Sequence, residues 1–524
     1  MNHAAYPSPA LKTLAAQILI QALSAAIAFA TVDGSAKPNI VVILADDLGY
    51  ADVGMHGCKD IPTPHIDSIA ANGVRFTSGY ANHPVCSPSR AGLLSGRYQH
   101  RFGFENNSGP EDYAAPNFGI PRDVPILAER LKQVGYATCM VGKWHVGFKA
   151  GLRPHERGFD YFYGFHAGAR TFYPVGLRQN NPLYRNGTEF KGETDYLTDA
   201  FARETVGFID RHAASGGDNP FFVYLAFNAV HAPLEATKEY EGRFPEIEDP
   251  KRRTYAGMMA AMDDAVGRVL KTLKRHGQEK NTLLFFYSDN GGPTYQTTSR
   301  NDPLRGFKGQ MFEGGIRVPF AALWPGRIPA GKVYRQPVMG FDVHATALAA
   351  AGLKTDGDGK NLVPYLDGSK KGVPHRSLFW RAGANHAVRV GDWKLVAGRG
   401  RPDALFNLAE DIAEQRDLAS TRPKKLSELR AAFAAWSAQM EEPRWIRQDR
   451  TNAEPGGKLL AQPKKKPTIK GSVRKRDKNG DSKMSRNEYW QPAVFDQVDG
   501  DGDGLATLEE IRAYYRTMRT KPRN

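Results

Sequence analysis

The sequence predicts an α/β fold. A mostly parallel central sheet flanked by helices comes first, then a smaller C-terminal antiparallel sheet with a helix, then a small helical tail. Three observations predict it. Four unbroken apolar runs, each closed by polar or charged residues, read as strands buried on both faces. Helical patterns, among them Ile126 to Val134 and Tyr255 to Leu273, lie between the runs. Beyond about residue 376 the strand candidates shorten and turns crowd between them, which suits an antiparallel sheet.

Taken in order, the chain begins with Lys12 and a stretch over residues 13–30 that is mostly Ala, Leu and Ile. It closes on Ala28-Phe29-Ala30, so residues 1–30 read as an export signal cleaved near Ala30. Gln17, Gln21 and Ser24 lower its hydrophobicity, and it is barely long enough to span a bilayer, which disfavours a membrane anchor. No later segment reads as a transmembrane helix, and no stable membrane insertion is expected after cleavage.

The four runs follow. Asn39 to Ala45 leads into Asp46-Asp47, and Tyr136 to Val141 into Gly142-Lys143-Trp144-His145. Phe221 to Phe227 leads into Asn228 and His231, and Thr282 to Tyr287 into Ser288-Asp289-Asn290. Each run delivers polar residues at its carboxyl end, the edge where open α/β sheets place their sites. Between the first two lies His83 to Arg97, a tight entry into a short helix with Ser87-Pro88 in the first turn and Gly96 placed to end it. Cys86 falls at or just before the helix N-terminus, where backbone N–H groups favour an anion. Arg90 lies one turn on, on the same side. A polarised group at Cys86 beside a fixed arginine suits attack on an anionic ester.

Length and composition set the outer limits. A chain of 524 residues points to two or three domains, and 41% hydrophobic with 24% charged residues is ordinary for a globular protein. Three cysteines make no disulfide framework; with Cys86 set aside, Cys58 and Cys139 could pair in an oxidising compartment. The net charge is +15, and residues 455–476 contribute eight lysines and arginines with no acid. Such a run is usually solvated, and it also suits attraction to polyanions such as sulfated glycans. No recognition motif accompanies it, so nucleic acid is not the expected partner.

The pattern Cys86-x-Pro88-x-Arg90 followed by Ala91-x-Leu93-Leu94-Ser95-Gly96-Arg97 resembles the signature of type I sulfatases, of the arylsulfatase and N-acetylgalactosamine-6-sulfatase kind, in the alkaline phosphatase superfamily. The resemblance runs from about Pro38 to about Trp445. It implies that Cys86 is converted to 3-oxoalanine (formylglycine) by a formylglycine-generating enzyme, and that the hydrated aldehyde is the nucleophile. It also implies one divalent cation, usually Ca2+, held by Asp46, Asp47, Asp289 and Asn290 together with position 86. Hard oxygen ligands of this kind suit calcium or magnesium. Gly142-Lys143-Trp144-His145 and Leu304 to Gly309 resemble the two lysine segments of the family. By that resemblance Lys143 and Lys308 hold sulfate oxygens, Arg90 and the metal lower the cost of an ionised nucleophile, His145 is the base and His231 the general acid. Arg317, in Phe312 to Pro319, reads as structural.

Residues 37–375 then form the catalytic domain, 376–450 its C-terminal subdomain, 451–472 a Pro/Lys-rich linker and 473–520 a calcium-binding tail. In the tail, Asp477, Asn479, Asp481 and Glu488 fit one EF-hand-type loop, and Asp499, Asp501, Asp503 and Glu510 fit a second. Ser482 replaces the usual turn glycine in the first loop. The loops start 22 residues apart, close for two full helix–loop–helix units. This resembles a compact EF-hand pair, the simpler calcium-stabilised tail and the expectation here, or else a dockerin-like loop–helix duplication, which would need a tail-binding partner.

The expectation is an exported, calcium-dependent hydrolase of sulfuric esters on a sulfated carbohydrate, placed in the periplasm, at the cell surface or outside the cell. Two alternatives stand beside it. One is a phosphate or phosphonate monoester hydrolase of the same superfamily. The other is an inactive glycan-binding calcium protein, which would not need all of Cys86, Arg90, Lys143, His145, His231 and Lys308.

Overall fold

A computed structural model describes residues 37–109, 115–174, 181–216 and 219–445, and in the tail 481, 483–486, 489, 495–507, 509–511, 513 and 514. The chain divides into two compact units, Met1–Ile446 and Arg447–Asn524. Residues 1–30 and the linker 451–472 lie outside the described residues. Among the described residues no helix is long and apolar enough to cross a membrane.

The strands of the first unit begin with β1 Asn39–Ala45, β2 Val74–Phe76, β3 Gly79–Tyr80, β4 Ala137–Lys143, β5 Tyr161–Phe165 and β6 Leu183–Arg185. They continue with β7 Thr188–Phe190, β8 Phe221–Ala226, β9 Thr282–Ser288, β10 Phe320–Leu323, β11 Lys332–Tyr334 and β12 Val338–Met339. Ten of them form one sheet in the order β11-β2-β10-β9-β1-β8-β4-β5-β6-β7, while β3 and β12 pair apart. The run β9-β1-β8-β4-β5 is parallel throughout. Antiparallel neighbours appear only outside it, where β10 joins β9 and β6 joins β5. The four apolar runs are thus the four adjacent central strands, and their carboxyl ends share one rim.

Burial on both faces explains why these runs show no alternation. Ile40, Val42 and Leu44 of β1 face a core with Leu93 and Leu94 of helix Cys86–Ser95 and Val343 of helix Phe341–Ala350. Val41 and Ile43 face the other way, against Phe201 of helix Leu197–Ala214 and Met258 of helix Pro250–Arg275. Successive strand side chains point to opposite faces, so a strand covered by helices on both sides is apolar at every position. The two helices expected from pattern occur as Leu127–Lys132 and Pro250–Arg275. Cys58 and Cys139 do not pair: the Cys58 thiol donates to Asp60 Oδ1 at 3.2 Å, and Cys139 is a buried free thiol in β4.

Strands β13 Ser377–Ala382, β14 Asn385–Val390, β15 Trp393–Gly398 and β16 Arg401–Asn407 form an antiparallel meander. Helix Pro423–Ser437 lays Leu426 and Leu429 on it, against Val388, Leu395 and Leu405. Trp380 is fully buried with Tyr80 and Phe341, and its indole N–H donates to the Ala81 carbonyl at 2.9 Å. A buried ionic cluster sits at the same junction. Lys394 Nζ lies 2.8 Å from both Glu313 and Glu414, all three closed to solvent. Glu313 also accepts from Tyr80 Oη at 2.6 Å and pairs with Arg317 at 3.1 Å. Burial alone would raise the Glu313 carboxyl, and Lys394, Arg317 and Arg389 outweigh it, holding the group below the usual carboxylate range. Arg317 is structural here, as the sequence suggested.

In the second unit, β17 Lys483–Ser485 pairs antiparallel with β18 Leu505–Thr507, and Met484 stands opposite Ala506. Both are buried with Phe495 and Val498 of the short helix Phe495–Val498 and with Ile511.

Removing one partner of a buried charge cluster leaves the others uncompensated, which costs about 3–5 kcal/mol. Lys394→Met is therefore expected to lower the unfolding free energy of the first unit by that order in urea titrations followed by tryptophan fluorescence. A loss below about 1 kcal/mol would show that Glu313 and Glu414 do not need the lysine.

Candidate active site

Helix Cys86–Ser95 is buried along its whole length and ends where the chain requires it. Gly96 adopts φ +69°, and its N–H closes on the Gly92 carbonyl at 3.0 Å. Val85 precedes the helix and provides no side-chain cap, and the Ser87 hydroxyl bonds instead to the His145 carbonyl. The helix start is thereby tied to the loop after β4.

Around the Cys86 thiol stand the residues named from sequence. Lys308 Nζ is 3.2 Å from Cys86 Sγ, with Asp46 Oδ1 at 3.6 Å and Asp47 Oδ1 at 3.9 Å. Lys143 Nζ pairs with Asp46 Oδ2 at 2.7 Å, and Lys308 Nζ with Asp47 Oδ1 at 2.6 Å. Arg90 places Nε 2.9 Å from Asp289 Oδ2 and donates to the Lys143 carbonyl at 2.9 Å; a further nitrogen lies 3.6 Å from Asp46. Asn290 donates to Asp47 Oδ1 at 2.7 Å, and its own Oδ1 is buried without a partner. His231 Nε2 is 3.5 Å from Asp47 Oδ2, while His231 Nδ1 lies 2.6 Å from the Ala232 carbonyl.

His145 joins the group through its backbone, at Ser87, and through the field of the cations. Its ring lies against Gly168 and its Nδ1 is buried without a partner. Burial, then Lys143 and Arg90, push it well below the usual histidine range, so the ring is neutral. Burial likewise lowers His231, against the pull of Asp47 and Asp46. Asp46 is held down although burial opposes this, because Lys143, His231, Arg90 and Lys308 surround it. Asp289 is pushed up to about 6 by burial and by Asp46. Burial raises the Cys86 thiol to about 12, and Lys143 and Lys308 do not offset it, so an unmodified thiol there stays protonated at neutral pH.

The carboxylates Asp46, Asp47 and Asp289 are matched one for one by Arg90, Lys143 and Lys308. Ligand atoms of Asp46, Asp47, Cys86 and His231 all lie within 4.8 Å of one another. Asp289 stands outside that group, with Oδ2 taken by Arg90. Three carboxylates and an unpartnered amide oxygen form a hard-oxygen donor set, which fits calcium or magnesium.

In the tail, carboxylate oxygens of Asp499, Asp501 and Glu510 lie within 4.8 Å of one another. Glu510 Oε1 accepts from the Gly500 N–H at 2.8 Å, and Asp499 Oδ1 is buried without a partner. Asp503 lies 3.3 Å from Lys483 across the β17–β18 pair, and Asp481 accepts from the Lys483 N–H at 2.8 Å. Asp477, Asn479 and Glu488 lie outside the described residues, as does Ser482. Met484 and Ala506, paired across β17 and β18, are each the eighth residue of the two expected loops.

Two residues escaped sequence reasoning. The Asn301 amide accepts from Gly292 N–H at 3.1 Å and donates to the carbonyls of Gly292 and Gly306, clamping the Asp289 loop to the Lys308 loop. Gly168 makes room for the His145 ring. Asn228, named from sequence at the end of the third run, lies just after β8, buried with neither amide atom paired; Asn301 and Gly168 had no such signal. A lone Asn or Gly in a polar loop has no pattern that would mark it.

A family model described as Sulfatase matches residues 38–353. The chain is 36% identical over 384 residues to N-acetylgalactosamine-6-sulfatase of Canis lupus familiaris, covering 68% of this chain and 71% of that one. It is 31% identical over 453 residues to arylsulfatase J of Mus musculus, covering 74% of each. A crystal structure of Ps i-CgsB in complex with k-i-k-neocarrahexaose superposes with a TM-score of 0.74 at 38% identity, covering 79% of this chain and 95% of that one.

The delivery of Lys143 depends on the end of β4. Gly142 has φ +113°, and a Cβ there would overlap the Ala226 carbonyl oxygen of β8. Gly142→Ala should cost at least about 2–3 kcal/mol through backbone strain and strand separation, read as a lower urea midpoint. Wild-type stability in that variant would mean the close approach of β4 and β8 is not required.

Proposed function

This chain belongs to the sulfatase family and is a sulfatase enzyme, and from that premise we propose that it removes sulfate from a sulfated carbohydrate at position 86. The observation that carries the reading is the Cys86 thiol at a buried helix start, with Lys308 at 3.2 Å and two aspartates within 4 Å. The relatives support the substrate class: one is named for a sulfated amino sugar, and one neighbour is bound to a carrageenan-type hexaose.

The un-ionised thiol is a poor nucleophile where it stands, which favours a modified side chain. As hydrated 3-oxoalanine, made by a formylglycine-generating enzyme, position 86 would supply a hydroxyl oxygen as nucleophile and a second hydroxyl from which the aldehyde can be restored. A calcium ion held by Asp46, Asp47, Asp289 and Asn290 would stabilise negative charge at that oxygen and on the sulfate.

The chain's own residues do the rest. Lys143 and Lys308, paired here with Asp46 and Asp47, are the cations that would hold the sulfate oxygens, the aspartates being the residues that would hold the calcium. Arg90 is fixed between Asp289 and the Lys143 carbonyl, and so keeps position 86, the acidic loop and β4 in one geometry. His231 donates from Nδ1 to the Ala232 carbonyl, which leaves Nε2 to carry a proton to the leaving alcohol oxygen, with Asp47 to favour the charged ring. His145 is neutral, and its unpartnered Nδ1 is the atom that takes a proton from the second hydroxyl at position 86.

For the tail we propose calcium held by Asp499, Asp501, Asp503 and Glu510, supported by the convergence of three of these carboxylates and by the paired eighth positions. A first loop of Asp477, Asn479, Asp481 and Glu488 belongs to the same proposal. Residues 1–30 support export as a signal peptide.

Sulfate release from a sulfated galactan oligosaccharide tests the reading. Wild-type protein is expected to turn over many times, to lose activity in EDTA and to regain it with calcium. Cys86→Ser should lose turnover by at least about a thousandfold, since a single hydroxyl cannot restore the aldehyde. Full multiple-turnover activity in Cys86→Ser, or release of phosphate from a phosphomonoester in preference to sulfate, contradicts it.

A further inference from the structure

Beside the sulfate site lies a cavity of about 670 Å³, a size usual for small-ligand pockets. It is lined by Arg300, Asp302, Arg305, Phe307, Phe312 and Arg401, among others. Phe312 is its buried floor. The Arg305 guanidinium stands 4.1 Å from the centroid of that ring, and the Arg401 guanidinium 5.5 Å. Arg305 donates to the Glu414 carbonyl, a neutral acceptor, at 2.7 Å. Arg401 donates no side-chain hydrogen bond and pairs with no acid among the described residues. Asp302 is taken by Arg300, at 3.4 Å. Two guanidiniums are therefore left without a carboxylate, one from the 300–312 loop and one from the start of β16, nearly a hundred residues apart in sequence.

The cavity adjoins the reacting position. Phe307 in its wall is followed directly by Lys308, whose Nζ reaches Cys86 Sγ. Asn301 and Gly306, also in the wall, are the residues through which the Asp289 loop is clamped. Tyr295, next in sequence to the wall residue Thr294, is 63% exposed and packs on Phe307 with ring centroids 4.9 Å apart. An exposed tyrosine ring backed by the half-buried Phe307 offers a platform for the apolar face of a sugar ring, because covering it removes apolar surface from water.

We propose that this cavity is a second anion subsite, in which Arg305 and Arg401 hold the sulfate of the sugar unit next to the one being desulfated. It rests on the glycan reading above and deepens it: the preferred substrate is an oligosaccharide sulfated on neighbouring units. Planar guanidiniums already fixed on an aromatic face are well placed for bidentate contacts to sulfate oxygens. Arg300, tied to Asp302, supplies the outer edge.

Binding to the full chain decides it, measured by titration calorimetry. The probes are a galactan tetrasaccharide sulfated on two adjacent units and the same tetrasaccharide with one sulfate. Wild-type protein is expected to prefer the disulfated form by at least about tenfold, and Arg305→Ala/Arg401→Ala to lose that preference. Arg401→Ala alone, which breaks no hydrogen bond among the described residues, should lose part of it. Equal binding of both sugars by the wild type, or a preference that survives in the double variant, overturns the subsite. Turnover of a small aryl sulfate by the same wild-type preparation reports separately on the parent reading. Turnover without a preference sinks the subsite alone, whereas a preference without any sulfate release keeps the subsite and sinks the reaction.

Discussion

Charge balance in a closed space governs this structure. Asp46, Asp47 and Asp289 are shut away from water, and each would be intolerable without a cation within hydrogen-bond reach. Arg90, Lys143 and Lys308 meet that need, and they come from three separate parts of the chain. The balance thus fixes the position of the Cys86 helix, the end of β4 and the loop after β9 at once. A divalent cation and a sulfate ester bring charges of opposite sign to the same place. On the proposed reading, a cation held by the aspartates would leave Lys143 and Lys308 to face the sulfate instead.

The parallel sheet makes that convergence geometrically simple. Strands β9, β1, β8 and β4 are neighbours and point the same way, so the residues that follow them gather on one edge. This much was legible in the sequence, because a strand buried on both faces is apolar at every position and its polar terminus is conspicuous. The short helix with Cys86 at its start was legible too, from Pro88 and Gly96.

What could not be read were the pairings. Nothing in the sequence tells that Arg90 meets Asp289, or that Lys394 settles between Glu313 and Glu414, since each pairing closes only when distant segments fold together. Gly168 and Asn301 were invisible for a related reason: their roles are to leave space and to clamp two loops, and neither needs a repeating pattern. In the tail, the pairing of Met484 with Ala506 joins two short strands that no periodicity in the sequence marks. The arginine-lined cavity likewise joins the 300–312 loop to Arg401, at the start of β16.

The most direct test of the account is peptide mass spectrometry on protein purified from its native host, on the fragment that holds Cys86. Conversion of the thiol to an aldehyde lowers the fragment mass by roughly 18 Da, and the account predicts that shift in active protein. An unmodified thiol at position 86 in protein that releases sulfate through many turnovers would contradict it.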